Sequence, residues 1–279
     1  MFERALIVAA ALMTLGAGAA EAQDWRTVTS FRQRSAEDRL AVHVRYGAGR
    51  LVVGPSAAGS ELYRVGLRYD SELFEPITEY SGGRLEVGVE GTGRSIRLKN
   101  HHAGKLDLRL SPDVPLDLAL AFGAVEADID LSGLRIRSLK VETGASETDL
   151  RFSTPNAEPC ARMEVSVGAA SFAARGLGNA NCAAIRLEGG VGDMTLDFSG
   201  EWRQSMEARI EMALGSVTLV VPPAVGVRVH KETFLAGFDG ARFEKRDGVL
   251  YSENWETARH RLSVDVSGAF GSINVRWRN

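Results

Sequence analysis

Residues 115 to 134 read PLDLALAFGAVEADIDLSGL. Ahead of Gly123 the apolar residues stand at odd distances from it, Leu118 and Leu120; beyond it they stand at even distances, Val125, Ala127, Ile129 and Leu131. Alternation on both sides describes strands with one buried face. A slip of one residue exchanges the two faces of a strand, so a straight continuation would turn the second apolar series to water. The chain must therefore bend at Gly123, by a bulge or corner, and glycine is the residue suited to the backbone angles of such a bend.

The same arrangement recurs on either side of this stretch. Glycines at 144, 168, 190 and 215 follow at intervals of 21, 24, 22 and 25 residues. Apolar pairs precede each of them, Leu139/Val141, Met163/Val165, Ile185/Leu187 and Ile210/Met212, and apolar series such as Leu150/Phe152, Met194/Leu196/Phe198 and Val217/Leu219/Val221 follow. Outlying copies surround Gly47 and Gly271. A period in this range marks stacked repeats. The expected fold is all-β: one domain, a β-solenoid or open β-roll of short strands, with corners at Gly47, Gly123, Gly144, Gly168, Gly190, Gly215 and Gly271. Its parts are an irregular N-terminal region over about residues 23–110, regular repeats over about 115–223 and a C-terminal part over about 224–279. Helical periodicity is weak, with short helical pieces expected only around Ser71 to Phe74 and around Trp255. The glycines of GGVGDMTLDFSGEW (189–202) do not read as a phosphate cradle, because that needs a helix N-terminus after the loop and a strand pattern follows instead.

Two cysteines bear on the stacking. Cys160 lies eight residues before Gly168 and Cys182 eight before Gly190, so they hold the same place in consecutive repeats. Strands about 4.8 Å apart bring equivalent residues within disulfide range, and a Cys160–Cys182 bridge between neighbouring coils is expected in an oxidising compartment.

That compartment is suggested by residues 1–22, MFERALIVAAALMTLGAGAAEA: a basic residue, a short apolar run and small residues before Ala22. This pattern is that of a signal peptide and predicts an exported bacterial protein, periplasmic or secreted. The run is short for a membrane span and no later stretch is longer, so no transmembrane anchor is expected in the mature chain. With that segment removed, bases and acids nearly balance, which argues against a nucleic-acid partner.

Several segments together resemble the toast-rack family of bacterial envelope proteins, related to LiaF-like cell-wall-active antibiotic response proteins and to adhesin-like β-solenoid domains. They are residues 115–134, VETGAS (141–146), GLGNAN (176–181), GVGDMTLDFSGEW (190–202), LGSVTLVVPPAVGVRV (214–229), LAGFDGARFEKRDGVLYSENW (235–255) and GAFGSINVRW (268–277). The resemblance implies a non-enzymatic envelope module, binding, structural or stress-related, whose partner is an envelope protein or a glycan. The chain departs from the LiaF-like group in lacking transmembrane helices, so regulation of a membrane kinase is not carried over.

Candidate chemistry is sparse. Glu126, Asp128, Asp130, Asp149, Asp193 and Asp197 fall on outward positions, where stacked carboxylates offer the oxygen ligands that Ca²⁺ takes. Arg151 and Arg175 occupy the same column as Asp130 and Asp197, so ion pairs on a solvated face compete with that reading, and no cofactor is expected. Paired carboxylates would also suit a hydrolase or lyase of envelope polysaccharide, the alternative function, but no pair stands out. His101-His102 has no zinc-binding context, no GxSxG elbow is present, and the tryptophans at 25, 202, 255 and 277 are expected chiefly to cap the stack.

Overall fold

The computed structural model describes residues 24–57, 59–93, 104–239 and 242–278. Residues 1–22, the expected signal peptide, and His101-His102 lie outside them. In β7 (Pro115–Asp130) the buried residues are Leu116, Leu118, Leu120 and Phe122, then Val125, Ala127 and Ile129. The phase slip thus falls at Gly123. A long strand that changes its buried side at mid-length contributes one arm to each of two walls, and the apolar residues of both walls belong to one core.

The rungs that follow lie parallel. β8 (Arg135–Thr143) and β9 (Glu147–Arg151) form one rung broken at Gly144, and β10 (Cys160–Arg175), β11 (Cys182–Asp197) and β12 (Met206–Val221) are the next three. Their register stacks like on like: Leu120, Val141, Val165, Leu187 and Ile210 make one buried column before the bend, and Ile129, Leu150, Ala174, Leu196 and Leu219 another after it. With these side chains almost wholly removed from water, truncating any of the leucines to alanine should cost about 2–5 kcal/mol.

The opposite corner of the coil is closed by buried amides. Asn156 accepts from the Ile136 N–H at 3.0 Å and donates to the carbonyls of Ile136 and Ala180, while Asn179 donates to the Phe152 carbonyl at 2.9 Å. These bonds satisfy backbone groups that the turn would otherwise bury unpaired. Cys160 and Cys182 face each other across β10 and β11 and form a disulfide.

At both ends the order of rungs departs from the order of the chain. β13 (Gly226–Asp239) is the outermost long strand. The chain passes through the hairpin of β14 (Phe243–Arg246) and β15 (Val249–Ser252), and β16 (Arg261–Trp277) then inserts between β12 and β13, parallel to both. At the other end β2 (Leu40–Pro55) is enclosed between β7 and a later coil made of β5 (Arg84–Gly91) and β6 (Lys105–Leu110). The antiparallel strands β3 (Glu61–Asp70) and β1 (Trp25–Gln33) extend the wall beyond β6, and β4 (Phe74–Ser81) pairs with β5.

Three sequence expectations need correction. Gly215 and Gly271 are not the residues at which the phase slips: β12 and β16 turn at Ala213 and Ala269, two residues earlier, because Met212 is already the last buried residue of its arm and Leu214 is exposed. The segments around Ser71 to Phe74 and Trp255 are turns, with the short 3₁₀ turn Leu177–Ala180 the only helical piece among the described residues. Trp202 does not cap the stack; its indole donates to the Phe198 carbonyl at 2.9 Å beside the Phe198 ring, in the loop between β11 and β12. No described helix is long and apolar enough to cross a membrane.

Candidate functional site

The bends of successive rungs stack into a continuous edge. Gly47, Gly123, Gly144, Gly168 and Gly190 hold the corner positions, continued by Ala213 and Ala269. At Gly123, Gly168 and Gly190 the closeness of the rungs leaves no room for a side chain: a Cβ on Gly168 would lie 2.9 Å from the Gly144 carbonyl oxygen. The result is an open groove of about 1020 Å³ along the edge, from Tyr46 and Gly47 at one end to Gly268 at the other. The corner glycines from Gly47 to Gly190 line it together with Ala213, and every rung from β2 to β16 contributes to it.

One wall consists of the residues two places before each corner, among them Arg45, Glu142, Ser166, Glu188, Glu211 and Ser267. Their charges are partly matched: Lys140 meets Glu142 at 2.6 Å, and Arg186 reaches Glu188 at 2.9 Å and Glu211 at 3.5 Å. These pairs are about half exposed, which keeps each contribution below about 1 kcal/mol. Beneath the N-terminal end, the Tyr46 hydroxyl is buried without a hydrogen-bond partner, and burial pushes the phenol's pKa well up.

Beside the groove, the residues just after the corners form a column that runs from small to large: Ala124, Ala145, Ala169, Val191, Leu214. All five are exposed, and Val191 and Leu214 keep 51% and 49% of their surface in contact with water. A strand buries its apolar residues where it can, so these two form a small apolar ridge that continues the exposed alanines of the column. The sequence reading, which counted only buried positions, passed over this column, although its Ala-Ala-Ala-Val-Leu progression is visible once the corners are aligned.

The outward carboxylates of the other arm are brought side by side and are engaged by other groups. Asp128 stands opposite Asp149, and Glu126 opposite Glu147. Arg151 reaches Asp128 at 2.6 Å and Asp130 at 3.3 Å, Arg175 pairs with Asp149, and Arg50 lies 3.4 Å from Glu126. Asp193 accepts from the Ser216 hydroxyl at 2.5 Å and Asp197 from the Ser199 N–H at 2.8 Å. Among the described residues no group of three or more His, Cys, Asp or Glu side chains is placed to hold a metal ion. Burial alone would raise the Asp130 carboxyl, but its bonds from Ser132 and the Arg151 charge outweigh that and hold it below the usual carboxylate value. Asp24, Glu37 and Glu61 are also shifted downward, chiefly by hydrogen bonds from the Ser71 side chain, the Ser35 backbone N–H and the Arg64 side chain respectively.

The family model described as the N-terminal domain of toast_rack, DUF2154, matches residues 20–172 and 156–220. Among solved structures, a candidate cell adhesion protein from Clostridium sporogenes is 14% identical, with a TM-score of 0.46 over 91% of this chain and 100% of that one. A candidate adhesin from Bacteroides fragilis is 12% identical, with a TM-score of 0.40 over 89% and 97% of the two chains. A candidate lipid binding protein from Parabacteroides distasonis is 11% identical, with a TM-score of 0.35 over 88% and 96%. No curated protein matches the chain.

Proposed function

The chain belongs to the toast-rack family, and from that premise we propose that it is a non-enzymatic binding module of the bacterial envelope, exported to the periplasm or beyond. Its working surface is the glycine edge, where an extended ligand lies in the groove with its apolar parts against Val191 and Leu214. The observation that carries this reading is the groove itself: about 1020 Å³ of open channel lined by the corner glycines and drawn from every rung between β2 and β16. Corner glycines present no side chain of their own to an extended ligand, and rungs locked in register hold the channel in shape before anything binds. Such preorganisation reduces the ordering cost of association. Export is supported by the leader-like first 22 residues and by the Cys160–Cys182 disulfide, which persists in oxidising compartments.

The test is co-sedimentation of the purified mature chain with isolated cell-envelope fractions, comparing wild type with the Val191→Glu/Leu214→Glu double variant. Both positions are exposed, so the variant loses no core contact, and a circular dichroism spectrum matching that of wild type checks its fold. The expected outcome is retention of wild type and loss of most of the bound fraction in the variant. Equal retention of the two proteins would remove the glycine edge from the binding surface.

A further inference from the structure

A second surface, separate from the glycine edge, lies at the N-terminal end of the stack. There the strands run in the order β1, β3, β6, β2, and their outward positions fall into two rows. Arg68, Lys105 and Arg50 are aligned across β3, β6 and β2, and Arg64 and Arg109 are aligned four residues along. At the strand rise of about 3.3 Å, the two rows stand about 13 Å apart. Among the described residues three carboxylates oppose these five cations: Asp107, which meets Lys105 at 3.4 Å and Arg109 at 2.7 Å, the buried Glu61, which pairs with Arg64, and Glu126 of β7, which lies 3.4 Å from Arg50. Arg68 has no carboxylate partner among the described residues; it lies 5.0 Å from the centre of the Trp25 ring. Arg64 lies 5.1 Å from the centre of the Phe31 ring, whose residue is 56% exposed. Each end of the β1 margin therefore carries an aromatic plane with a guanidinium on it.

We propose that this face binds an acidic polysaccharide, one whose sugars carry carboxylates. Net positive charge attracts the polymer, and arginine forks suit planar carboxylates. The exposed Thr27 and Thr29 hydroxyls on β1 and the Asp107 carboxylate supply the mixed donors and acceptors that sugar hydroxyls need. Phe31 and Trp25 offer flat apolar surfaces to sugar rings. A lipid headgroup surface would need none of these hydroxyl partners. The next strand limits how the polymer lies: Glu126, Asp128 and Asp130 of β7 adjoin Arg50, Val52 and Gly54 of β2, so the charge reverses there. A polyanion is held along β3 and β6 and is repelled from crossing to β7.

Calorimetric titration of the mature chain with an oligouronate derived from alginate tests this, with neutral dextran oligomers and anionic phospholipid vesicles as the other ligands. Saturable, salt-sensitive binding of the oligouronate is expected, with little binding of dextran or vesicles. The Arg50→Gln/Arg68→Gln/Lys105→Gln variant, which spares the pair that Arg64 makes with the buried Glu61, should weaken the affinity about tenfold or more. Phe31→Ala should weaken it to a smaller extent, and Val191→Glu/Leu214→Glu should bind as wild type does, since the glycine edge is a different surface. Absence of oligouronate binding, equal binding of dextran, binding of vesicles alone, or an unaffected triple variant would each overturn the proposal.

Discussion

Replacing Gly215 by alanine adds one methyl group to rung β12 two residues beyond its bend. Gly215 has φ 142°, a backbone region side-chain-bearing residues rarely adopt, and its added Cβ would collide with the Gly192 carbonyl oxygen of the neighbouring rung. That oxygen cannot withdraw freely, because Gly192 and Gly215 are paired in a ladder that continues to Gly271. Backbone strain of this kind costs about 1–3 kcal/mol, and parting the two rungs adds to it, for a total near 3 kcal/mol. For a domain of this size each kcal/mol moves the melting temperature by about 2–4 °C, so Gly215→Ala should melt about 6–12 °C lower. Gly47 is the control: it occupies a corner, its φ is outside the positive range, and nothing lies within 4 Å of an added Cβ. Gly47→Ala should gain about 0.4–1 kcal/mol through the unfolded chain. Thermal unfolding followed by circular dichroism, checked by denaturant titration, measures both. Equal stability of Gly215→Ala and wild type, or equal losses from both substitutions, would refute the reasoning.

Other predictions follow from the packing and the charges. The Cys160–Cys182 disulfide closes a loop with a sequence separation of 22, so the Cys160→Ala/Cys182→Ala variant should lose about 3 kcal/mol in chemical denaturation. Alkylation of unreduced protein should leave its mass unchanged. The carboxyls of Asp24, Glu37, Glu61 and Asp130 are held below their ordinary values of 3.8 to 4.5. Their contribution is therefore complete above about pH 5 and is lost as pH falls below 4 through the lowered folded values; denaturation midpoints that rise between pH 5 and pH 3 would contradict this. Cysteines placed at Ser216 and Ser272, which face each other on β12 and β16, should crosslink on oxidation, whereas the Ser216/Gly237 pair, neighbours only if β13 followed β12 directly, should not.

The rungs themselves were legible because burial imposes a period of two and a bend shifts its phase; Leu118, Leu120, Val125 and Ile129 point inward as that logic requires. The corners were legible wherever glycine and slip coincide, as at Gly123 and Gly168. They were misplaced at Gly215 and Gly271, where alanine turns the chain and the glycine two residues on relieves a steric conflict with the preceding rung. The order of rungs at the two ends could not be read, since the pattern around Val264 and Val266 fits equally well against β12 or outside β13. The candidate site was legible only in part. Its glycine floor was visible as spacing, but the ridge of Val191 and Leu214 gains meaning only when rungs 23 residues apart lie side by side, and the basic face depends on β3 and β6 being adjacent.

Site-specific photocrosslinking in cells producing the protein addresses the binding edge most directly. A photoreactive residue at Leu214, on the ridge, is compared with one at Glu207, near the far end of the same rung and also exposed. The glycine edge as working surface predicts crosslinked envelope adducts from position 214 and few or none from position 207. Adducts of equal yield from both positions, or from position 207 alone, would contradict it.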